Sequence, residues 1–112
     1  MVEDDAHVRL LIVMHLEENG HRVTQAASAE QAITLLAEDD DVVLVFSDIQ
    51  MPGTMDGVDL ARWIARERPR LKVLLTSGEP VPAYAKAWPF VAKPYRPDSV
   101  DQQLRRMMAS NA

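Results

Sequence analysis

The chain contains no cysteine, which removes disulfides, thiol catalysis and cysteine-ligated zinc. No run approaches the roughly 18 consecutive apolar residues of a membrane span. No basic, apolar leader is visible either, because Glu3, Asp4 and Asp5 follow the first two residues. The expected compartment is cytoplasmic. A basic surplus is also missing: the formal net charge is −5, which argues against a nucleic-acid surface. The arginines that bunch at Arg62, Arg66, Arg68 and Arg70, and at Arg105 and Arg106, suit helix C-termini, where they complement the dipole. With 112 residues there is room for one domain, residues 1–112, and a real core.

What is present is organised around the stretch from Val43 to Gly57. It opens as a valine-rich apolar run, Val43–Ser47, that reads as a strand buried on both faces. It ends in Asp48, followed at once by Met51-Pro52-Gly53 and Asp56-Gly57, a turn no regular element can run through. One carboxylate is thereby placed at the carboxyl end of a central strand, where open α/β sheets hold their ligands.

The remaining pattern alternates. Val2-Glu3 is the stub of a strand, and Ala6–Asn19 reads as a helix with Val8, Leu11, Ile12 and Leu16 at helical spacing. Leu10, Val13 and Met14 widen that stripe, so this helix is expected to be deeply packed. His21–Ala26 reads as a short strand near an edge. A second helix starts at Ser28 with Gln31 as capping-box partner. After the organising strand come a helix from Val58 to about Arg68, a strand at Leu71–Thr76, a strand at Phe90–Lys93 and a closing helix from Pro97. Pro80, Pro82 and Pro89 leave the fourth helix stunted or absent. Strand and helix in alternation imply a doubly wound parallel sheet with helices on both faces.

At the strand ends of such a sheet, Glu3 and Asp4, Asp48, Thr76 and Lys93 converge. Three carboxylates this close call for a cation, and oxygen ligands with room for water suit magnesium. Lysine and a hydroxyl beside the metal would hold an anion. That set is what phosphoryl transfer onto an aspartate requires.

Four pieces carry a family resemblance: Val2-Glu3-Asp4-Asp5, Ser47-Asp48-Ile49-Gln50-Met51-Pro52-Gly53 with Met55-Asp56-Gly57, Leu75-Thr76-Ser77-Gly78, and Val91-Ala92-Lys93-Pro94-Tyr95. In this order they resemble the receiver domain of two-component response regulators, the fold of the chemotaxis response regulator. The resemblance implies a flavodoxin-like five-stranded sheet of order 2-1-3-4-5. It implies Asp48 as phosphoacceptor, and Asp4, Asp48, the Gln50 carbonyl and, through water, Glu3 around Mg2+. It further implies Thr76 and Phe90 as switch residues, Lys93 as phosphate-binding lysine before a cis proline, and Gln50 and Ser77 as residues that tune the site. A histidine kinase or histidine phosphotransfer protein would be the donor, and a protein effector the output. The chain would be a switch, not an enzyme beyond self-phosphorylation and autodephosphorylation.

Two features depart from the family. Only Met1 and Val2 precede Glu3, so the first strand is short, as if truncated, and the fourth helix gives way to prolines. Two other readings use the same residues. One is a receiver-like interaction module that is never phosphorylated. The other is a magnesium-dependent phosphatase with an aspartyl nucleophile, which Gln50 disfavours because an amide cannot serve as general acid.

Overall fold

The valine-rich run can hide both of its faces only inside a sheet, and that is where it lies. The structure, a computed structural model, describes residues 1–109. Its sheet has three parallel strands, β1 (Leu44–Asp48), β2 (Lys72–Ser77) and β3 (Phe90–Ala92), in that spatial order. Register pairs Asp48 with Thr76, and Thr76 with Val91. The four α-helices are α1 (Ala6–Glu18), α2 (Ala29–Glu38), α3 (Gly57–Glu67) and α4 (Pro97–Ala109).

Alternation along the strands divides the core in two. Val45, Val73 and Leu75 point to the face covered by α2 and α3, joining Ala32, Leu36, Leu60 and Ile64. Phe46 and Leu74 point to the other face, joining Ile12 and Leu16 of α1 and Val100 and Leu104 of α4. Helices on both faces of a parallel sheet make the fold doubly wound. Each fully buried leucine of β2 contributes on the order of 2 kcal/mol of transfer free energy to that arrangement.

The expected fives are not all strands. Val2 forms single parallel bridges to Ala26 on one side and Ser47 on the other. The first two expected strands are therefore one residue wide, and the sheet proper has three members. The physical reason is local. Arg22, Thr24 and Gln25 are exposed, so that only Ala26 is buried in the segment 21–26.

Two helices also differ in detail from the sequence expectation. In α1, Ile12, Val13 and Leu16 are buried, but Leu10, Leu11 and Met14 stand in solvent at 51%, 56% and 49% exposure. A helix apolar all round can turn only one side to the sheet, so deep packing fails for these three. At α2, Ser28 caps by accepting from Gln31 N–H, while the Gln31 amide oxygen accepts from Ala27 N–H instead of closing the box at Ser28. The reciprocal capping box appears at α3, between Asp56 and Asp59. The proline-rich segment keeps one 3-10 turn, Ala83–Ala85, in place of a helix. Among the described residues, no helix is long and apolar enough to cross a membrane.

Candidate functional site

Parallel strands end on the same side of the sheet, and there the polar residues of the pattern meet. Asp48 closes β1, Thr76 and Ser77 close β2, Lys93 follows β3, and Glu3 and Asp4 follow the Val2 bridge. Glu3, Asp48, Thr76 and Ser77 are buried, whereas Asp4 is exposed.

Lys93 joins the two buried acids. Its Nζ donates to Glu3 Oε1 at 2.5 Å and to Asp48 Oδ2 at 2.6 Å. The second Asp48 oxygen accepts from Gln50 N–H at 3.2 Å. Burial pushes the Glu3 carboxyl up to about 7, with Lys93 pulling against that and Asp48 adding to it. For Lys93, burial works downward, but the two carboxylates outweigh it and hold the ammonium above the ordinary lysine range. Two acids against one lysine leave the cluster short of positive charge.

Three buried polar atoms in the neighbourhood lack a partner: Glu3 Oε2, Thr76 Oγ1 and Tyr95 Oη. Such atoms are costly unless a ligand satisfies them. Glu3, Asp4 and Asp48 each offer an oxygen within 4.8 Å of the others. The donor set is all oxygen, and one of its members, Asp4, faces solvent. Residues and geometry therefore fit a hard divalent cation that keeps part of its water, such as Mg2+.

The loop after Asp48 is built to come back against it. Gly57 N–H donates to the Ile49 carbonyl at 2.8 Å. A Cβ at residue 57 would sit 2.1 Å from the Asp48 carbonyl oxygen, so only glycine fits. Gly53 takes a φ of +98° at the turn. Glu30, from α2, accepts Met55 N–H at 3.2 Å and so ties this loop to a neighbouring helix. On the opposite rim, Ser77 Oγ donates to Gln50 Oε1 at 2.5 Å and accepts Glu79 N–H at 3.0 Å.

The structure thus gathers Glu3, Asp4, Asp48, Lys93 and Thr76, with Gln50 and Ser77 bonded to each other at the edge. Phe90 lies apart from this polar group, half-buried against the α2–α3 core. The Lys93–Pro94 peptide is cis. Two further neighbours of the site lie outside the residues the sequence singles out. Arg9 donates to the Glu3 carbonyl at 2.5 Å. Its signal was available, because helix side chains lean toward the N-terminus and a long one at residue 9 reaches back over residue 3. Glu30 gave no such signal, being 25 residues from Met55, whose N–H it accepts, with nothing local to link them.

The chain is similar to known proteins in sequence and in fold. The family model for the response regulator receiver domain matches residues 1–105. The chain is 37% identical over 112 residues to the C4-dicarboxylate transport transcriptional regulatory protein DctD of Rhizobium meliloti, spanning 95% of this chain and 24% of that protein. It is 31% identical over 115 residues to the sensor kinase CckA of Brucella abortus, spanning 96% and 12%. The chain therefore spans a quarter or less of these curated relatives. Among solved structures, the receiver domain of NtrX from Brucella abortus superposes with a TM-score of 0.86 at 27% identity, over 97% of each chain. The receiver domain of the hybrid histidine kinase CckA gives 0.82 at 27% identity, over 96% of this chain and 94% of that one.

Proposed function

The chain belongs to the response regulator receiver domain family of two-component systems, and on that premise we propose that it is a Mg2+-dependent switch phosphorylated on Asp48. The observation that carries the reading is the buried Glu3–Lys93–Asp48 bridge, with Thr76 Oγ1 left unpartnered on the strand registered beside Asp48.

The donor is a phosphohistidine of a kinase or a histidine phosphotransfer protein. A carboxylate oxygen of Asp48 bonds to phosphorus as the P–N bond breaks, and the electron pair leaves with the imidazole. Asp4, Asp48, the Gln50 carbonyl and Glu3 would hold Mg2+, which when bound would supply charge neutralisation between the carboxylate and the incoming phosphoryl group. Lys93 holds one phosphoryl oxygen. Thr76 donates its hydroxyl to another, which satisfies the orphaned oxygen. Phe90, paired with Leu75 at the start of β3, turns inward behind Thr76 and shifts a pre-existing equilibrium between two states. The Ser77–Gln50 bond governs how water reaches the acyl phosphate, and so how long the phosphorylated state lasts. Output passes to a protein partner or a linked domain, a reading supported by relatives that include a transcriptional regulatory protein and a sensor kinase.

Intact mass after incubation with Mg2+ and a small acyl-phosphate donor tests the reading. A gain of roughly 80 Da that disappears in Asp48→Asn is the expected result. A folded chain that gains nothing would instead be an interaction module, and one that turns over donor catalytically would be a phosphatase.

A further inference from the structure

The acidic pair sits where the sheet has almost run out. Val2 is the last residue with strand pairing on both sides, and the Glu3 amide makes one more bond, to the Ala26 carbonyl at 3.0 Å. Beyond it, Glu3 and Asp4 must be held by something other than a ladder. Asp5 belongs to the helix, its side chain capping α1 through the His7 and Val8 amides. The Glu3 carbonyl is taken by Arg9, whose Nη1 donates to it at 2.5 Å. Arg9 is itself steadied, because its Nε donates to Gln25 Oε1 at 3.3 Å. One guanidinium therefore ties the acidic turn to α1 and to the segment that bridges Val2.

We infer that Arg9 is a positioning residue for Glu3 and Asp4, holding the turn where the pairing of Val2 ends. The inference rests on the receiver reading, in which these two acids face Mg2+. A guanidinium near an acidic site repels a divalent cation, so by charge alone its removal tightens metal binding. By position, its removal frees the Glu3 peptide and loosens binding. The two effects point in opposite directions.

Titration calorimetry with MgCl2 on the full chain, together with thermal unfolding of the metal-free protein, decides between them. Arg9→Met should weaken Mg2+ binding by about tenfold, at the low end for outer-shell partners of metal ligands. Arg9→Lys, which keeps a donor and the charge, should recover part of that loss. Gln25→Ala changes no charge and lies at an exposed position, and it should weaken binding by about threefold through the same clamp. Metal-free melting should move far less than the affinity. Binding as tight as wild type, or tighter, in both Arg9→Met and Gln25→Ala would overturn the inference. Should Arg9→Met fail to fold, Gln25→Ala and Arg9→Lys carry the decision. A wild-type chain that binds no Mg2+ fails earlier, at the receiver reading itself, and takes the inference with it.

Discussion

Two polar clusters lie at opposite ends of α1, and they are built to different rules. At the N-terminal end, Lys93 bridges Glu3 and Asp48, with Glu3 Oε2 and Thr76 Oγ1 buried and unpartnered. At the C-terminal end, Asp101 of α4 accepts from His21 at 2.5 Å and from Arg105 at 3.1 Å, and Arg105 also donates to the Asn19 carbonyl. The second cluster is closed: its acid has a histidine and an arginine, and no side-chain atom there stands among the buried and unpartnered. The first is open, with more acid than base and oxygens left waiting. Both are dense in charge. What distinguishes a site from a structural clasp is unsatisfied polarity, since a closed network has nothing left to offer a ligand.

Removing the one cation of the open cluster should have the largest effect. Lys93→Met leaves two buried carboxylates facing each other, and metal-free stability should fall by about 3 kcal/mol in urea unfolding. Mg2+ should restore part of it. A loss no larger than a surface substitution gives would mean that the cluster is already compensated, and the contrast between the two ends would collapse.

Next comes Gly57→Ala, which drives a Cβ into the Asp48 carbonyl oxygen, 2.1 Å away before relaxation. The backbone beside Asp48 must move, at about 2 kcal/mol. The same substitution at Gly20 is a useful control. There a Cβ meets nothing within 4 Å, and the cost is only that of a φ of +92°. If the two glycines behave alike, the loop yields freely and Asp48 is not held by it.

Thr76→Val should act in the other direction. It replaces a buried hydroxyl that has no partner with a methyl group of the same shape, and the unphosphorylated protein should gain about 1 kcal/mol. Mass labelling of Asp48 can persist in this variant, but coupling to the partner should be lost. A stabilised chain that no longer switches is the signature of a residue kept for function. A destabilised one would mean that the hydroxyl is satisfied in solution.

These contrasts were only partly legible in the sequence. Strand and helix alternation, the Asp48 turn and the proline break around Pro80, Pro82 and Pro89 could be read locally, because each rests on neighbours in the chain. The convergence of Glu3, Asp48 and Lys93 followed from the shared end of parallel strands. Pairing width did not: whether residues 21–26 make a strand depends on what lies beside them, and that segment bridges only once, from Ala26 to Val2. Nor did the orientation of α1, since Leu10, Leu11 and Met14 differ from Ile12 and Leu16 only in which side meets the sheet. The unpartnered oxygens were invisible in principle, being a property of assembled packing. So was the clasp at Asp101, whose partner His21 is 80 residues away.

That clasp yields the smallest prediction and the sharpest control. The hydrogen bond from His21, with help from Arg105, holds the Asp101 carboxyl below the usual carboxylate range. A carboxylate depressed in the folded state adds stability at pH values above its unfolded pKa, and that stability is lost as pH falls through the folded value. Asp101→Asn should therefore lower the melting temperature by a few degrees at neutral pH. The gap between variant and wild type should begin to close on acidification below about pH 4, the ordinary carboxylate value, and vanish once pH falls through the lower folded value. Added salt should narrow the gap too, because Arg105 is exposed and its share of the interaction is screened. Mg2+ should leave it unchanged, since this cluster presents no open oxygen to a metal. A gap that widened with Mg2+ would tie the two ends of α1 together and make the clasp part of the switch.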